Sequence, residues 1–293
     1  MPDLPRPMLA TPGPHVPAGA EWVHEVKWDG IRIIADVSAT SVCVRLTTRG
    51  GQDVSGDWPA IRAQAPVGLD CQVDGELVAF DESGRPDFRA LRKGGPAAYL
   101  VFDVLRVQGH DVTGLPWHQR RELLVGLGLE GWQVPEAYDD GRALHDATVT
   151  QGLEGVVSKR RTSLYRPGVR SPDWVKVVNR SRASYVVGGW RPQRGTTDRL
   201  AALLVGERTP AGLLYRGRVG SGIGPREGAR LRELLAPAEG SPFADEVPRI
   251  DASGTIWCRP SVVVEVETHG RGYQRLRQPA YVGVRIDLTP EDL

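Results

Sequence analysis

Lysine is almost missing from this chain: Lys27, Lys93, Lys159 and Lys176 are the only four among 37 basic residues, which leaves 37 − 4 = 33 arginines. Lysine can shed its proton and attack an electrophile, whereas arginine stays charged. A sequence this poor in lysine should keep it where arginine cannot substitute. Cysteine is also scarce. Cys43, Cys71 and Cys258 are odd in number and widely spaced, with no Cys-x-x-Cys pair and no histidine cluster. That pattern argues against a disulfide framework and a zinc centre and fits a reducing compartment. No apolar run approaches the ~18 residues of a membrane span, and Met1-Pro2-Asp3-Leu4-Pro5-Arg6-Pro7 lacks the apolar stretch of a signal peptide. A soluble, cytoplasmic protein with no membrane partner is expected. A net charge of +1 with 25% charged residues rules out a polyelectrolyte, so any nucleic-acid face must come from local arginine clusters.

What is present suggests two domains. The 293 residues with 40% hydrophobic content exceed the usual single core. Residues 1–20, rich in proline and glycine, read as an extended arm that wraps onto the domain after it. Alternating runs at Trp22–Val26, Ile31–Val37, Val42–Thr47, Val73–Phe80 and Tyr99–Leu105 predict strands. Helical spacing appears at Trp58–Gln64, Trp117–Leu127 and Ala143–Gln151, and Gly152–Lys159 and Trp174–Val178 return to strands. The character changes near residue 180. Beyond it, Tyr185–Trp190, Leu200–Val205, Leu213–Val219, Ser261–Thr268 and a tail around Arg285, with one helix at Pro225–Leu235, suit a small OB-type barrel. The expected domains are 1–180 and 181–293.

Three of the four lysines sit in strand-like segments beside a carboxylate or a tryptophan. Lys27 lies in Glu25-Val26-Lys27-Trp28-Asp29-Gly30-Ile31-Arg32. Thr48-Arg49-Gly50-Gly51, Asp74-Gly75-Glu76-Leu77, Phe102-Asp103, Glu154-Gly155-Val156-Val157-Ser158-Lys159 and Trp174-Val175-Lys176 follow in that order. Each piece alone is weak, and Lys-x-Asp-Gly by itself equally describes a surface lysine before a turn. The ordered set resembles the covalent nucleotidyltransferase superfamily of ATP-dependent DNA ligases, RNA ligases and capping enzymes. It looks most like the bacterial ligases found as the ligase domain of ligase D and as stand-alone ligase C. Four further segments support the finer likeness: Pro7-Met8-Leu9-Ala10, Ser163-x-Tyr165-Arg166-Pro167-Gly168-x-Arg170-Ser171, Gly217-Arg218-Val219-Gly220-Ser221-Gly222, and Leu276-Arg277-x-Pro279-x-Tyr281-x-Gly283-x-Arg285-x-Asp287. The resemblance covers essentially the whole chain. It implies an α+β fold: an N-terminal adenylation (nucleotidyltransferase) domain of antiparallel sheets flanked by helices, then a C-terminal OB-fold β-barrel.

The chemistry can be read beside the likeness. Forming a phosphoramide from ATP needs a neutral amine, so a lysine whose reference pKa is about 10.4 must be depressed by burial and nearby cations. Lys27 is the expected nucleophile, with Lys176 and a bound metal as the depressing charges. The resemblance implies that Glu25 faces adenine, Arg32 the ribose, and Phe102 the flat of the base; on spacing alone Phe102 also reads as a core aromatic. Glu76 and Glu154 are carboxylates in strand-like runs, costly to bury unless paired or metal-bound. The likeness implies a ribose contact for Glu76 and Mg2+ (or Mn2+) held by Glu76 and Glu154. Arg49, Lys159, Arg170 and Lys176 would then bring positive charge to the triphosphate and to a DNA 5′-phosphate. Asp29 is either a general base or simply the turn residue before Gly30. Lys93 has no motif around it and reads as surface.

The implied reaction seals nicked double-stranded DNA through a lysyl-AMP in a monomeric, nucleoid-associated repair enzyme. Separate polymerase, nuclease or end-binding proteins would be its possible partners. Residues 181–293 hold 16 arginines against 13 carboxylates, a balance of +3 that favours backbone contacts over base reading. Two positions depart from the family pattern. Val178 stands where a second lysine follows Trp-x-Lys, and Leu288 ends Arg285-Ile286-Asp287-Leu288 where lysine is usual. Slow self-adenylation is therefore expected. The alternatives are a degenerate ligase that holds nicked DNA without sealing it, and an RNA ligase or capping-type enzyme.

Overall fold

The computed structural model describes residues 4–38, 44–269 and 274–293. Val42 and Cys43, part of one expected strand, lie outside the described residues. The chain divides into two units between Asn179 and Arg180, against an expected boundary after residue 180. No helix among the described residues is long and apolar enough to cross a membrane.

The first unit runs β1 (Leu9–Pro12), β2 (Trp22–Val26), β3 (Ile31–Val37), β4 (Val44–Thr48), α1 (Pro59–Ala63), β5 (Cys71–Val78), α2 (Phe88–Arg92), β6 (Ala98–Val107), β7 (His110–Asp111), α3 (Trp117–Gly126), α4 (Gly141–Gln151), β8 (Gly155–Arg160) and β9 (Arg170–Val178). Two sheets result, ordered β4-β3-β5-β6-β7 and β1-β9-β8-β2. Every pairing is antiparallel except β1 with β9, which is parallel.

Period-two alternation decides what each face of the five-stranded sheet carries. Ile31, Ile33, Ala35 and Val37 of β3, with Cys71, Val73 and Leu77 of β5, pack into the main core with Ile61, Leu124 and Trp132. The intervening residues turn the other way. Ile34 joins Met8, Leu105, Tyr165 and Trp174 in a second cluster, and Arg32 and Glu76 line a cavity. Gly75 lets the strands close up, because a Cβ there would stand 2.5 Å from the Leu100 carbonyl and 2.7 Å from the Tyr99 ring.

Helix α4 covers β2 and β8. Asp140 caps it, accepting from the backbone N–H groups of Arg142 and Ala143 at 3.1 and 2.9 Å, and Gly152 ends it at φ +70°. Its first residue, Gly141, rests on the buried His24 ring, where a Cβ would approach to 2.4 Å. The proline-rich start is more than an arm: Leu9–Pro12 is a sheet strand, with Leu9 opposite Arg170 and Pro12 opposite Lys176.

The second unit contains β10 (Arg180–Pro192), β11 (Leu200–Thr209), β12 (Gly212–Val219), α5 (Pro225–Leu234), α6 (Arg249–Ala252), β13 (Ile256–Trp257), β14 (Val263–His269) and β15 (Ala280–Val284). Its sheet runs β12-β11-β10-β14-β15, with β13 also on β10. A parallel bridge between Ser221 and Ala280 brings the two ends of that order together, giving the expected OB-like barrel. Leu231 of α5 enters its core beside Val187, Leu203, Val205, Val264 and Val266. Cys71 and Cys258 are unpaired and buried, and burial pushes their thiols up to about 11 and about 12, so neither is a nucleophile.

Candidate active site

The three lysines in motif-like segments meet. Lys27, Lys159 and Lys176 line one cavity of about 190 Å³ in the first unit, whereas Lys93 is exposed on the surface. Glu25, Arg32, Arg49, Glu76, Phe102 and Arg170 line it too, so nine of the ten expected site residues share its wall. The tenth, Glu154, reaches it through an ion pair, its Oε1 lying 2.6 Å from Lys27 Nζ.

One end is buried and aromatic. Glu25, 5% exposed, holds Lys159, 1% exposed, at 2.8 Å. The Lys159 ammonium and the Arg32 guanidinium each lie 4.7 Å from the centre of the Phe102 ring. Lys159 also donates to the Phe102 carbonyl at 3.2 Å. Lys159, expected among the phosphate-facing cations, is buried here and paired with Glu25. The other Glu25 oxygen, Oε1, is buried without a hydrogen-bond partner among the described residues. An unmet acceptor of this kind costs about 1–3 kcal/mol and is suited to an N–H donor brought by a ligand.

The opposite end is cationic and open. Arg49 and Arg170 are exposed, and Lys27 and Lys176 are half-buried. Burial, then Lys27, Arg170 and Arg49, push the Lys176 amine below the usual lysine range against the opposing pull of Glu154. Lys27 Nζ itself is paired with Glu154. Backbone placement of Lys27 is tight. Its N–H donates to the Gly155 carbonyl at 2.8 Å, and a Cβ on Gly30 would fall 2.0 Å from the Leu77 carbonyl oxygen. Asp29 is buried and does not line the cavity.

Glu76 is raised to about 8 by burial, with Arg32 and Lys27 pulling the other way. A neutral carboxyl can donate as well as accept at a sugar hydroxyl, whereas a metal ligand must first lose that proton. Among the described residues no cluster of three or more His, Cys, Asp or Glu could hold a metal. Magnesium fits this donor set in its usual manner, with one or two carboxylates and the rest of its shell from phosphates and water.

The raised Glu76 carboxyl also sets a pH slope. Between about pH 4.5 and pH 8 the folded protein binds one proton more than the unfolded chain, so stability falls as pH rises, by at most about 1.4 kcal/mol per unit. Glu76→Gln removes this component. Urea midpoints of wild type and variant should therefore diverge progressively from pH 5 to pH 8, the variant gaining. Parallel pH profiles would show that Glu76 is ionised throughout.

Several site residues escaped the sequence reading. Asp74, fully buried, takes Arg32 through two bonds of 2.6 Å and the Tyr165 hydroxyl at 2.6 Å. Asp103, beside Phe102, is paired with the fully buried Arg120 at 2.7 and 2.9 Å. Their motif neighbours were visible, but Arg120 is one arginine among 33 and nothing local marks it.

Residues 7–177 match the ATP dependent DNA ligase domain, and residues 196–288 match the ATP dependent DNA ligase C terminal region. The chain belongs to the ATP-dependent DNA ligase family. Over 299 residues it is 38% identical to the multifunctional non-homologous end joining DNA repair protein LigD of Mycobacterium tuberculosis, covering 98% of this chain and 39% of that protein. The Pseudomonas aeruginosa LigD is 35% identical, over 100% of this chain and 37% of its own length. The chain therefore spans about two fifths of these relatives. Among solved structures, the ligase domain of M. tuberculosis LigD is similar, with TM-score 0.58, 34% identity and coverage of 99% of this chain and 97% of that one. A mycobacterial DNA ligase D complexed with ATP and MES gives TM-score 0.59 at 35% identity, with the same coverage. Both family regions and the adenylation and OB-like architecture expected from the sequence agree with this membership.

Proposed function

We propose that this chain seals nicks in duplex DNA through a covalent adenylate on Lys27, within double-strand-break end joining. The observation that carries the reading is the polarity of one cavity. Lys27 stands between an aromatic end with an unmet buried acceptor and a mouth bearing Arg49, Arg170 and Lys176.

Adenine lies on Phe102, its amino group answering Glu25 Oε1, while the ribose meets Arg32 and Glu76. Lys27 Nζ attacks the α-phosphorus; a P–N bond forms, the bond to pyrophosphate breaks, and the amine proton passes to solvent. A DNA 5′-phosphate oxygen then attacks the same phosphorus and releases the lysine. Finally the 3′-hydroxyl attacks the activated 5′-phosphate, and AMP leaves. Each step is an in-line phosphoryl transfer, so the protein contributes position and charge. Arg49, Arg170 and Lys176 neutralise the phosphates. Magnesium would be held by Glu154 and, once ionised, Glu76, and would supply further positive charge at the phosphates.

End joining is supported by the LigD relatives, whose remaining length lies outside the matched region; polymerase, nuclease or end-binding proteins are the partners this implies. Sealing assays on DNA, RNA and hybrid nicks, each with ATP, GTP and NAD, test the reading. ATP-dependent sealing of nicked DNA is the expected result. Binding of nicked DNA without any lysyl-AMP would instead favour the degenerate-ligase reading.

The absent lysines at 178 and 288 bear on speed. Val178 is two residues beyond Lys176 on β9, half-buried and outside the cavity wall. Val178→Lys combined with Leu288→Lys should accelerate lysyl-AMP formation at least roughly tenfold, since each restores a positive charge that favours the developing phosphoryl charge. A fast wild-type rate left unchanged by both substitutions would sink this idea.

A further inference from the structure

We propose that Tyr165 is a positioning residue for Arg32, and that the N-terminal segment around Met8 is thereby a working wall of the nucleotide site, steadied by the nucleotide it helps to hold. The proposal rests on the nucleotide reading of the cavity given above.

Four groups close a ring. Arg32 Nε and NH2 donate to the two Asp74 oxygens, each at 2.6 Å. The Tyr165 hydroxyl donates to Asp74 Oδ2 at 2.6 Å and accepts the Met8 N–H at 3.0 Å. Arg32 NH2 returns to the Met8 carbonyl at 3.2 Å. The peptide groups on both sides of Met8 are thus tied down, the N–H by tyrosine and the C=O by arginine. The Met8 side chain is fully buried with Tyr165 and Trp174, and its sulfur accepts the Arg166 N–H at 3.2 Å.

The ring leaves one donor unspent. Two of the three guanidinium nitrogens of Arg32 are engaged, and NH1 has no partner among the described residues, while the side chain lines the cavity over Phe102. An unconstrained arginine samples many rotamers; here its fork is fixed so that only NH1 remains for a ligand oxygen. Burial, reinforced by Asp74, lifts the Tyr165 phenol well above its ordinary value, so it remains a donor. A phenylalanine fills the same space but strips the Met8 N–H of its acceptor and leaves Asp74 Oδ2 with Arg32 alone. Because linkage is reciprocal, an arm that orients Arg32 for nucleotide must be stabilised when nucleotide binds.

Two measurements on the full chain test this. In the first, the rate of lysyl-AMP formation is followed against ATP concentration for wild type and Tyr165→Phe. The expected result is a KM for ATP raised roughly tenfold with kcat within about threefold, the signature of lost ground-state orientation. In the second, exchange of the Met8 amide hydrogen is followed with and without α,β-methylene-ATP and magnesium. It should slow by about tenfold or more in wild type on binding, and not in Tyr165→Phe. An unchanged KM, or wild-type Met8 exchange indifferent to the analogue, overturns the proposal. If the variant does not fold, the wild-type exchange comparison decides alone. A wild-type protein that slows Met8 exchange yet forms no lysyl-AMP would overturn the ligase reading and leave the role of Tyr165 standing.

Discussion

Lysyl-AMP formation should fall by about 10⁴–10⁶-fold when Lys27 is replaced by arginine, the range expected when the proposed covalent nucleophile is lost. The substitution isolates chemistry from packing. Arginine keeps a positive charge for Glu154, now 2.6 Å from Lys27 Nζ, and both side chains are about one-fifth exposed, so the fold has room to accept the larger group. What arginine cannot do at neutral pH is release a proton and attack phosphorus. ATP labelled at its α-phosphate, followed by a denaturing gel, measures the loss directly. A band of normal intensity on Lys27→Arg would place the adenylate elsewhere. Lys176 would then be the first residue to examine, because its proton is already disfavoured by burial and by Lys27, Arg170 and Arg49. A nick supplied already adenylated bypasses Lys27, since only the final attack by the 3′-hydroxyl remains. The variant should seal that substrate at a rate near wild type.

The sequence made strands legible wherever one face met a core. Trp22–Val26 and Ile31–Val37 appear with the bounds their alternation predicts, because Ile31, Ile33, Ala35 and Val37 must all face one side. The same alternation put Arg32 on the cavity side without any knowledge of the cavity. Scarcity was the second clue: a chain with four lysines placed three around one site. Partners were harder to see. The strand Leu9–Pro12 pairs with Arg170–Val178, about 160 positions away, and its proline and short length hide it from any local pattern. Lys159 was expected by motif beside phosphate, but motif order does not report depth, so its burial against Glu25 was not legible. The Asp74–Tyr165–Met8 ring joins three segments distant in sequence, each recognised separately, through hydrogen bonds that no spacing rule encodes. The α5 helix and strands β10, β11, β12 and β14 were foreseen, and only a tail around Arg285 stood for β15, whereas the two-residue β13 gave no periodic signal at all.

Asp103→Ala should destabilise the first unit by about 3–5 kcal/mol, the cost of stripping one partner from a buried ion pair. Arg120 is fully buried, and Asp103 shields two of its nitrogens at 2.7 and 2.9 Å. Without the carboxylate, a guanidinium remains inside a core from which water is excluded. Its third nitrogen, NH1, donates to the carbonyls of Leu115 at 2.6 Å and Ser163 at 2.8 Å, so the side chain cannot swing out without abandoning both. Removing the charge as well takes away the uncompensated ion. Asp103→Ala with Arg120→Met keeps apolar volume and leaves chiefly two unmet carbonyls at about 1–3 kcal/mol each. The double variant should therefore lose less than the sum of the two single losses, which is the coupling a double-mutant cycle reads. Urea titrations of the four proteins measure it. Additive losses would show that the pair is not coupled in the way its geometry requires. The same substitution carries a functional consequence, because Asp103 follows Phe102 directly, and the Phe102 ring and carbonyl are what Lys159 touches at the closed end of the cavity. A KM for ATP that stays elevated in the folded double variant would show that the buried pair sets the position of that ring as well as the strength of the fold.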